Sequence, residues 1–195
     1  MRRVSIVLLV LSFFVPMTLL ADPLPEIDAG GEGLTEDTSA PLASSTGGLR
    51  NGFSLSAGQQ FGGDRDISGT MFGVDWRIGW QINEPMGVYV HSHMSFGSVT
   101  EAGGLSGPTG TLATAIMGEY TLPVRAFLAA GVGYGVLNNP NGPVVAARAG
   151  YYPLKTNSIT KARRLNVAID YRSYSVSQGY GRVNQIQFTL GYDRF

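Results

Sequence analysis

The sequence predicts an all-β fold, an eight-stranded antiparallel up-and-down transmembrane β-barrel preceded by a signal peptide and a disordered tail. Three observations predict it. From Leu49 onward, apolar and polar residues alternate with period two in eight segments parted by turn-forming clusters. None of these segments carries the 3.6-residue period of an amphipathic helix. The composition also misfits a water-exposed surface: 14% of residues are charged, glycines number 27, and Lys155 and Lys161 are the two lysines. Soluble domains carry about a quarter charged residues.

The first 21 residues read as a secretory signal peptide. Arg2 and Arg3 precede an uncharged apolar core from Val4 to Leu20, and Ala21 is a small residue suited to a cleavage point. Pro16 and the short length argue against a membrane anchor. Residues 22–48 carry Asp22, Glu26, Asp28, Glu32, Glu36 and Asp37 with no base and no aromatic. Such a segment cannot bury enough apolar surface to offset its ordering entropy, so it is expected to be a disordered tail. Its acids lack the spacing of a calcium loop. The absence of cysteine excludes disulfides, cysteine-based zinc sites, thiol nucleophiles and a lipid-modified N-terminal cysteine.

The barrel is expected over 49–195. In its first run Leu49, Phe53, Leu55, Ala57 and Phe61 share one parity, against Gly52, Ser54, Ser56, Gly58 and Gln60. The second opposes Phe72, Val74, Trp76, Ile78, Trp80 and Ile82 to Asp75, Arg77 and Gln81. The third opposes Val88, Val90, Met94 and Phe96 to Tyr89, His91, His93 and Ser95. The fourth places Leu112, Ile116, Tyr120 and Leu122 against Ala113, Ala115, Met117 and Glu119. The fifth places Leu128, Val132, Tyr134 and Val136 against Phe127 and three glycines. The sixth sets Val145, Ala147, Ala149 and Tyr151 against Arg148, Gly150 and Tyr152. The seventh sets Leu165, Val167, Ile169 and Tyr171 against Asn166, Asp170 and Arg172. In the eighth, Ile186, Phe188, Leu190 and Tyr192 oppose Gln185, Gln187, Thr189 and Gly191.

Alternation does not say which face meets what; the residue types do. With the N-terminus on the periplasmic side, the apolar parities end in Phe61, Phe96, Tyr134 and Tyr171 at one height. They end in Trp80, Tyr120, Tyr151 and Tyr192 at the other. Two aromatic rings are what the two membrane interfaces favour. The opposite face is small and polar with charges of both signs, as the crowded inside of a narrow barrel requires. Reversing the faces would put arginines in lipid at about 2–4 kcal/mol each near the midplane. The expected lumen network is therefore Asp75, Arg77, Tyr89, His91, His93, Ser95, Glu119, Arg148, Asp170 and Arg172. Eight strands enclose only room for side chains, so no open pore is expected.

The leader, the eight alternating runs, the aromatic ends and the terminal IQFTLGYDRF together resemble the small bacterial outer-membrane barrels of the OmpA/OmpX type, over residues 49–195. That resemblance implies insertion by the barrel-assembly machinery, with Phe195 as the terminal aromatic that the machinery reads. It also implies a place in the outer membrane among its lipid and lipopolysaccharide. One departure stands out: parity asks for an aromatic at 194, where the chain has Arg194, so the strand ends near Tyr192 or is irregular there.

Outer loops are expected near 62–66, 98–110, 138–143 and 175–182, with inner turns near 83–87, 122–125 and 153–162. Pairing the second and third runs about the 83–87 turn brings Asp75 near Ser95 and Arg77 near His93. The only histidines, His91 and His93, form an H-x-H pair that lacks a third histidine for zinc. Asp75 is the best further ligand, and Arg77 beside it argues against a cation, so neither metal nor cofactor is expected. His93-Met94-Ser95 resembles, locally, the motif of the PagL-type lipid A deacylases, which implies His93 as base, Ser95 as nucleophile and Asp75 as orienting acid. That family carries its motif late in the chain and opens its serine to lipid; here the motif is early and Ser95 has inward parity. GVGYG (131–135) lacks the helix and lysine of a phosphate loop. No basic stripe suggests nucleic acid. The expected role is structural or surface-interacting in the envelope and non-enzymatic. The alternatives are a lipid A-type acyl hydrolase and a narrow channel or small-ligand barrel.

Overall fold

The computed structural model describes residues 48–83, 85–156, 163–176 and 181–194. The expected signal peptide, the acidic segment up to residue 47 and Phe195 lie outside them. Eight strands are present: β1 (Gly48–Gly62), β2 (Ile67–Gln81), β3 (Met86–Thr100), β4 (Ser106–Thr121), β5 (Ala126–Leu137), β6 (Asn141–Thr156), β7 (Arg163–Val176) and β8 (Gly181–Arg194). Each pairs antiparallel with its neighbour and β8 closes on β1, so the sheet is a closed barrel with no free edge. Closure removes the unpaired backbone rows that an open sheet presents, which a membrane cannot hydrate.

Period two dictates what lies outside. Phe53, Leu55, Phe72, Trp76, Ile116, Leu128, Val132, Ile169, Phe188 and Leu190 are all exposed. An apolar exterior this continuous suits hydrocarbon rather than water. Phe96, Tyr134, Phe61 and Tyr171 stand outward towards the end opposite the chain termini, here the distal end. Trp80, Tyr120, Tyr151 and Tyr192 stand outward towards the terminal end. Two of the distal tyrosines donate to outward amides, Tyr134 Oη to Asn141 Oδ1 at 2.7 Å and Tyr171 Oη to Asn184 Oδ1 at 2.9 Å. A ring with a wet hydroxyl suits a membrane interface.

Several features differ from expectation, among them the inner turn expected at 153–162, into which β6 continues as far as Thr156. The strands run further at the distal end: β3 reaches Thr100 and β4 starts at Ser106, so the expected 98–110 loop is only 101–105. Residues 98–100 and 106–110 lost the apolar alternation yet kept the backbone ladder, because a strand outside hydrocarbon needs pairing but no apolar face. Thr100 Oγ1 lies 2.9 Å from Ser106 Oγ across it. Gly48, expected in the tail, opens β1. Finally, β8 continues past Tyr192 to Arg194, with Asp193 fully buried and Arg194 facing partly outward. There is no irregularity in β8; an arginine at the interface costs only about 0–1 kcal/mol.

The turns fix the registers. Ile82 N donates to Met86 O at 2.8 Å, and the Asn83 side chain accepts from Met86 N at 2.9 Å. This closes β2 on β3 with Gln81 opposite Gly87. In β6 a register shift falls between Tyr151 and Leu154, around Pro153, which has no N–H to give the ladder. Tyr152 N instead donates to Arg125 O in the 122–125 turn at 3.0 Å, and its ring turns into the terminal end of the lumen.

Candidate functional site

The lumen is a packed polar core. Its buried charges, among the described residues, are Arg50, Arg77, Arg148 and Arg172 against Asp75, Glu119, Asp170 and Asp193. Four cations thus meet four carboxylates, all of them shielded from solvent. An unpaired charge there would be costly, whereas a paired and hydrogen-bonded one is tolerable.

Near the terminal end Arg50 grips Glu119 with both nitrogens, Nη1 to Oε1 at 2.6 Å and Nη2 to Oε2 at 2.9 Å. Tyr89 and Tyr152 donate to the same carboxylate, each at 3.2 Å. The Arg50 guanidinium also lies 4.8 Å over the Tyr89 ring. Asp193 accepts from Arg77 Nε at 3.0 Å and from Asn166 Nδ2 at 2.8 Å. Arg77 also donates to Ser54 Oγ at 2.6 Å. Gly52 makes room for this pair, since a Cβ there would collide with the Asp193 carboxylate. Arg148 extends the cluster to Asn166 at 2.6 Å and to Asp170 at 3.1 Å.

The second cluster centres on Asp75. Its Oδ1 accepts from His93 Nδ1 at 2.8 Å, His91 Nε2 at 3.0 Å and Arg172 Nη2 at 2.6 Å. Arg172 also reaches Asp170 Oδ2 at 3.2 Å and Gln187 Oε1 at 3.0 Å. Towards the distal end Ser95 Oγ lies 2.6 Å from Thr111 Oγ1, which takes a donor from Gln185 at 3.3 Å. Above these, Ile67, Leu137, Val144, Tyr174, Val176 and Val183 pack into an apolar plug. All ten residues expected in the lumen lie there, buried.

The expected β2–β3 register is corrected by two residues. Asp75 stands opposite His93 rather than Ser95, and Arg77 opposite His91 rather than His93. The hydrogen bonds of Ile82 and Asn83 with Met86 set this. The correction changes the chemistry. Asp75 is a close acceptor for His93, as an orienting acid would be. Yet Ser95 is bound to Thr111 and is fully buried, and His93 Nε2, the atom that would take a serine proton, has no hydrogen-bond partner among the described residues. The three residues therefore do not form a nucleophilic relay in this geometry, which needs serine and base in hydrogen-bond reach.

Asp75, His91 and Asp170 bring ligand atoms within 4.8 Å of one another. The Arg172 guanidinium occupies the middle of that group, at the distances given above and 3.3 Å from His91 Nε2. A metal ion would have to displace a cation that already pairs with both carboxylates. Adding Zn²⁺ to the refolded protein is thus expected to leave the ring signals of His91 and His93 unmoved in an NMR titration. Saturable shifts at stoichiometric zinc would contradict this.

Arg50 and Asp193 also belong to the network, outside the expected set, as do Tyr152 and Asn166, which have the expected inward parity. Arg50 shares the parity of Gly52 and Ser54, and Asp193 that of Gln185 and Gln187. Arg50 falls inside the first run and Asp193 one residue past Tyr192, so carrying each inward parity to the end of its strand would have found both.

No family model matches the chain, and no curated protein matches it. Solved structures do. Neisserial surface protein A aligns with a TM-score of 0.53 at 8% identity, over 76% of this chain and 98% of that one. Ail, the attachment invasion locus protein of Yersinia pestis, aligns at 0.52 with 12% identity, over 74% and 97%. Its complex with the heparin analogue sucrose octasulfate aligns at 0.51 with 11% identity, over 74% and 98%. At such identities the likeness is one of fold: the chain has the fold of the small eight-stranded outer-membrane barrels.

Proposed function

We propose that this protein is an integral outer-membrane barrel with a structural or surface-interaction role in the cell envelope, closed to conduction and without hydrolytic activity. The observation that carries the proposal is the opposition of its two faces. The outside is an apolar belt between aromatic rings; the inside is a charge-balanced network under an apolar plug. Such a molecule is built to stay in a bilayer and to pass nothing. The leader read from residues 1–21 supports export, and both barrel termini lie at one end, read as the periplasmic end, with the distal end read as outside.

The described distal loops carry Asp64, Asp66 and Glu101 against Arg65, with Arg182 at the distal start of β8. That balance does not favour a sulfated polyanion of the kind seen on Ail, so a surface partner is expected to be neutral or weakly basic.

Cell fractionation tests the core of the proposal. The protein is expected in the outer membrane, as a band that shifts on boiling in detergent gels; soluble periplasmic recovery with an unshifted band would overturn it. In planar bilayers no defined current steps are expected. Incubated with lipopolysaccharide, the purified barrel is expected to release no acyl chains, and release abolished by Ser95→Ala would contradict the non-enzymatic reading.

A further inference from the structure

The distal mouth holds a cavity of about 300 Å³, bounded by the ends of β1, β2, β3 and β4, the 101–105 loop and Leu137–Asn138. Its floor is Gln60, which is 1% exposed. The Gln60 amide oxygen accepts from Gln185 Nε2 at 2.8 Å, while its own Nε2 has no hydrogen-bond partner among the described residues. Exchanging the oxygen and nitrogen of that amide would not remove the deficit, since a buried amide would still keep one unused branch. A buried donor without a partner is uncommon in a folded protein and asks for an acceptor from elsewhere.

The rest of the cavity says what kind of molecule brings that acceptor. At the rim Arg65 Nη1 donates to Glu101 Oε1 at 3.3 Å. This pair is neutral as a unit yet offers donors and acceptors side by side, the pattern that adjacent hydroxyls match. Asn138 gives its side-chain oxygen to Gly110 N at 2.8 Å, so its amide nitrogen remains a donor at the rim. Between floor and rim, Ile67, Val99, Leu105 and Leu137 form an apolar wall suited to C–H groups. The volume suits one ring rather than a chain. The cavity is also preformed: Ala102 N donates to Arg65 O at 3.2 Å, Glu101 N to Leu105 O at 2.9 Å and Asn138 N to Gly110 O at 2.8 Å. A preformed concave site of apolar walls with a few aimed polar groups is the usual form of a small-molecule site.

We propose that the distal mouth binds one neutral sugar ring, with the Gln60 amide donating to a ring or hydroxyl oxygen at the floor and the Arg65–Glu101 pair holding adjacent hydroxyls at the rim. This gives the surface-interaction role a ligand class, and only the outward placement of the mouth rests on that reading. The sugar has two sources with one chemistry: a free hexose outside the cell, or a terminal residue of lipopolysaccharide in the same membrane.

The test is a titration of the isotope-labelled, refolded full-length barrel in detergent micelles with glucose, galactose and mannose, and with delipidated lipopolysaccharide core oligosaccharide. Saturable shifts at the backbone amides of Gln60, Thr109 and Asn138 are expected for at least one of them. Gln60→Leu is expected to weaken binding about tenfold, and Glu101→Gln, on the exposed rim and so harmless to folding, about threefold. A free hexose binding as tightly as the oligosaccharide assigns the source to solutes; tighter oligosaccharide binding assigns it to lipopolysaccharide. Absence of shifts with all four probes overturns the proposal, as does equal binding by Glu101→Gln and wild type, or saturation by zwitterionic glycine in place of the sugars. Micelle binding does not depend on which way the barrel sits. Binding by a protein that fractionates as soluble would therefore sink the membrane reading and leave the site standing.

Discussion

Replacing Glu119 by alanine is expected to be the most damaging single change inside the barrel, costing about 3–5 kcal/mol of stability. Glu119 accepts two bonds from Arg50 and one each from Tyr89 and Tyr152, and all four residues are buried. Its removal leaves a guanidinium in a low-dielectric interior with Asp193 at 3.5 Å as its nearest remaining carboxylate. That residual partner puts the expected value towards the lower end of the range. The double variant Arg50→Leu with Glu119→Leu is expected to recover much of the loss, because removing both charges ends the desolvation penalty that removing one creates. Urea unfolding in phospholipid micelles, followed by Trp76 and Trp80 fluorescence, measures both. A single-variant loss below about 1 kcal/mol would show that the Arg50–Glu119 pair lies in water, not in a packed lumen.

Val132→Arg should be almost as costly for the opposite reason. Val132 is 67% exposed, lies near the middle of β5 and has Ile116 and Val145 beside it on the outer face. In a bilayer an arginine at that depth costs about 2–4 kcal/mol. On a water-exposed surface the same change would stay within about 0.5 kcal/mol. The pair of substitutions therefore separates the faces: one removes a charge from the inside, the other adds one to the outside, and both destabilise. Arg194, which the chain carries on the outward parity at a strand end, calibrates the interface. Its replacement by leucine is expected to change stability by no more than about 1 kcal/mol.

The two faces were legible because parity survives almost any error in the placement of a strand. Phe53 to Phe61 and Phe72 to Ile82 declare their side whatever they pair with. Register was not legible for the same reason. A two-residue slip keeps every side chain on its face, so parity cannot tell Asp75 opposite His93 from Asp75 opposite Ser95. Only the hydrogen bonds that Ile82 and Asn83 make with Met86 decide. Strand ends were obscured where β3 and β4 leave the apolar belt, since Ser98, Thr100 and Ser106 pair as strands while reading as loop. The terminal cluster was missed because Arg50, between Leu49 and Phe53, and Asp193, one residue past Tyr192, lie at the ends of runs that declare themselves by their apolar parity. Which carboxylate each arginine meets is a property of barrel closure: Arg77 finds Asp193 only because β8 returns to lie beside β1.

The most direct test of the central claim, that the apolar face lies in lipid around a packed polar lumen, uses the two tryptophans. Trp76 and Trp80 are both outward on β2, four residues apart, which places them about 10 Å apart in depth for a tilted strand. Trp80→Phe and Trp76→Phe variants, each with one tryptophan, are reconstituted in vesicles whose lipids carry bromine at graded depths along the chain. Trp76 is expected to be quenched most by bromine deep in the chain and Trp80 by bromine near the headgroup, with little quenching of Trp76 by aqueous iodide. Equal and strong iodide quenching of both, with none by brominated lipid, would contradict the account.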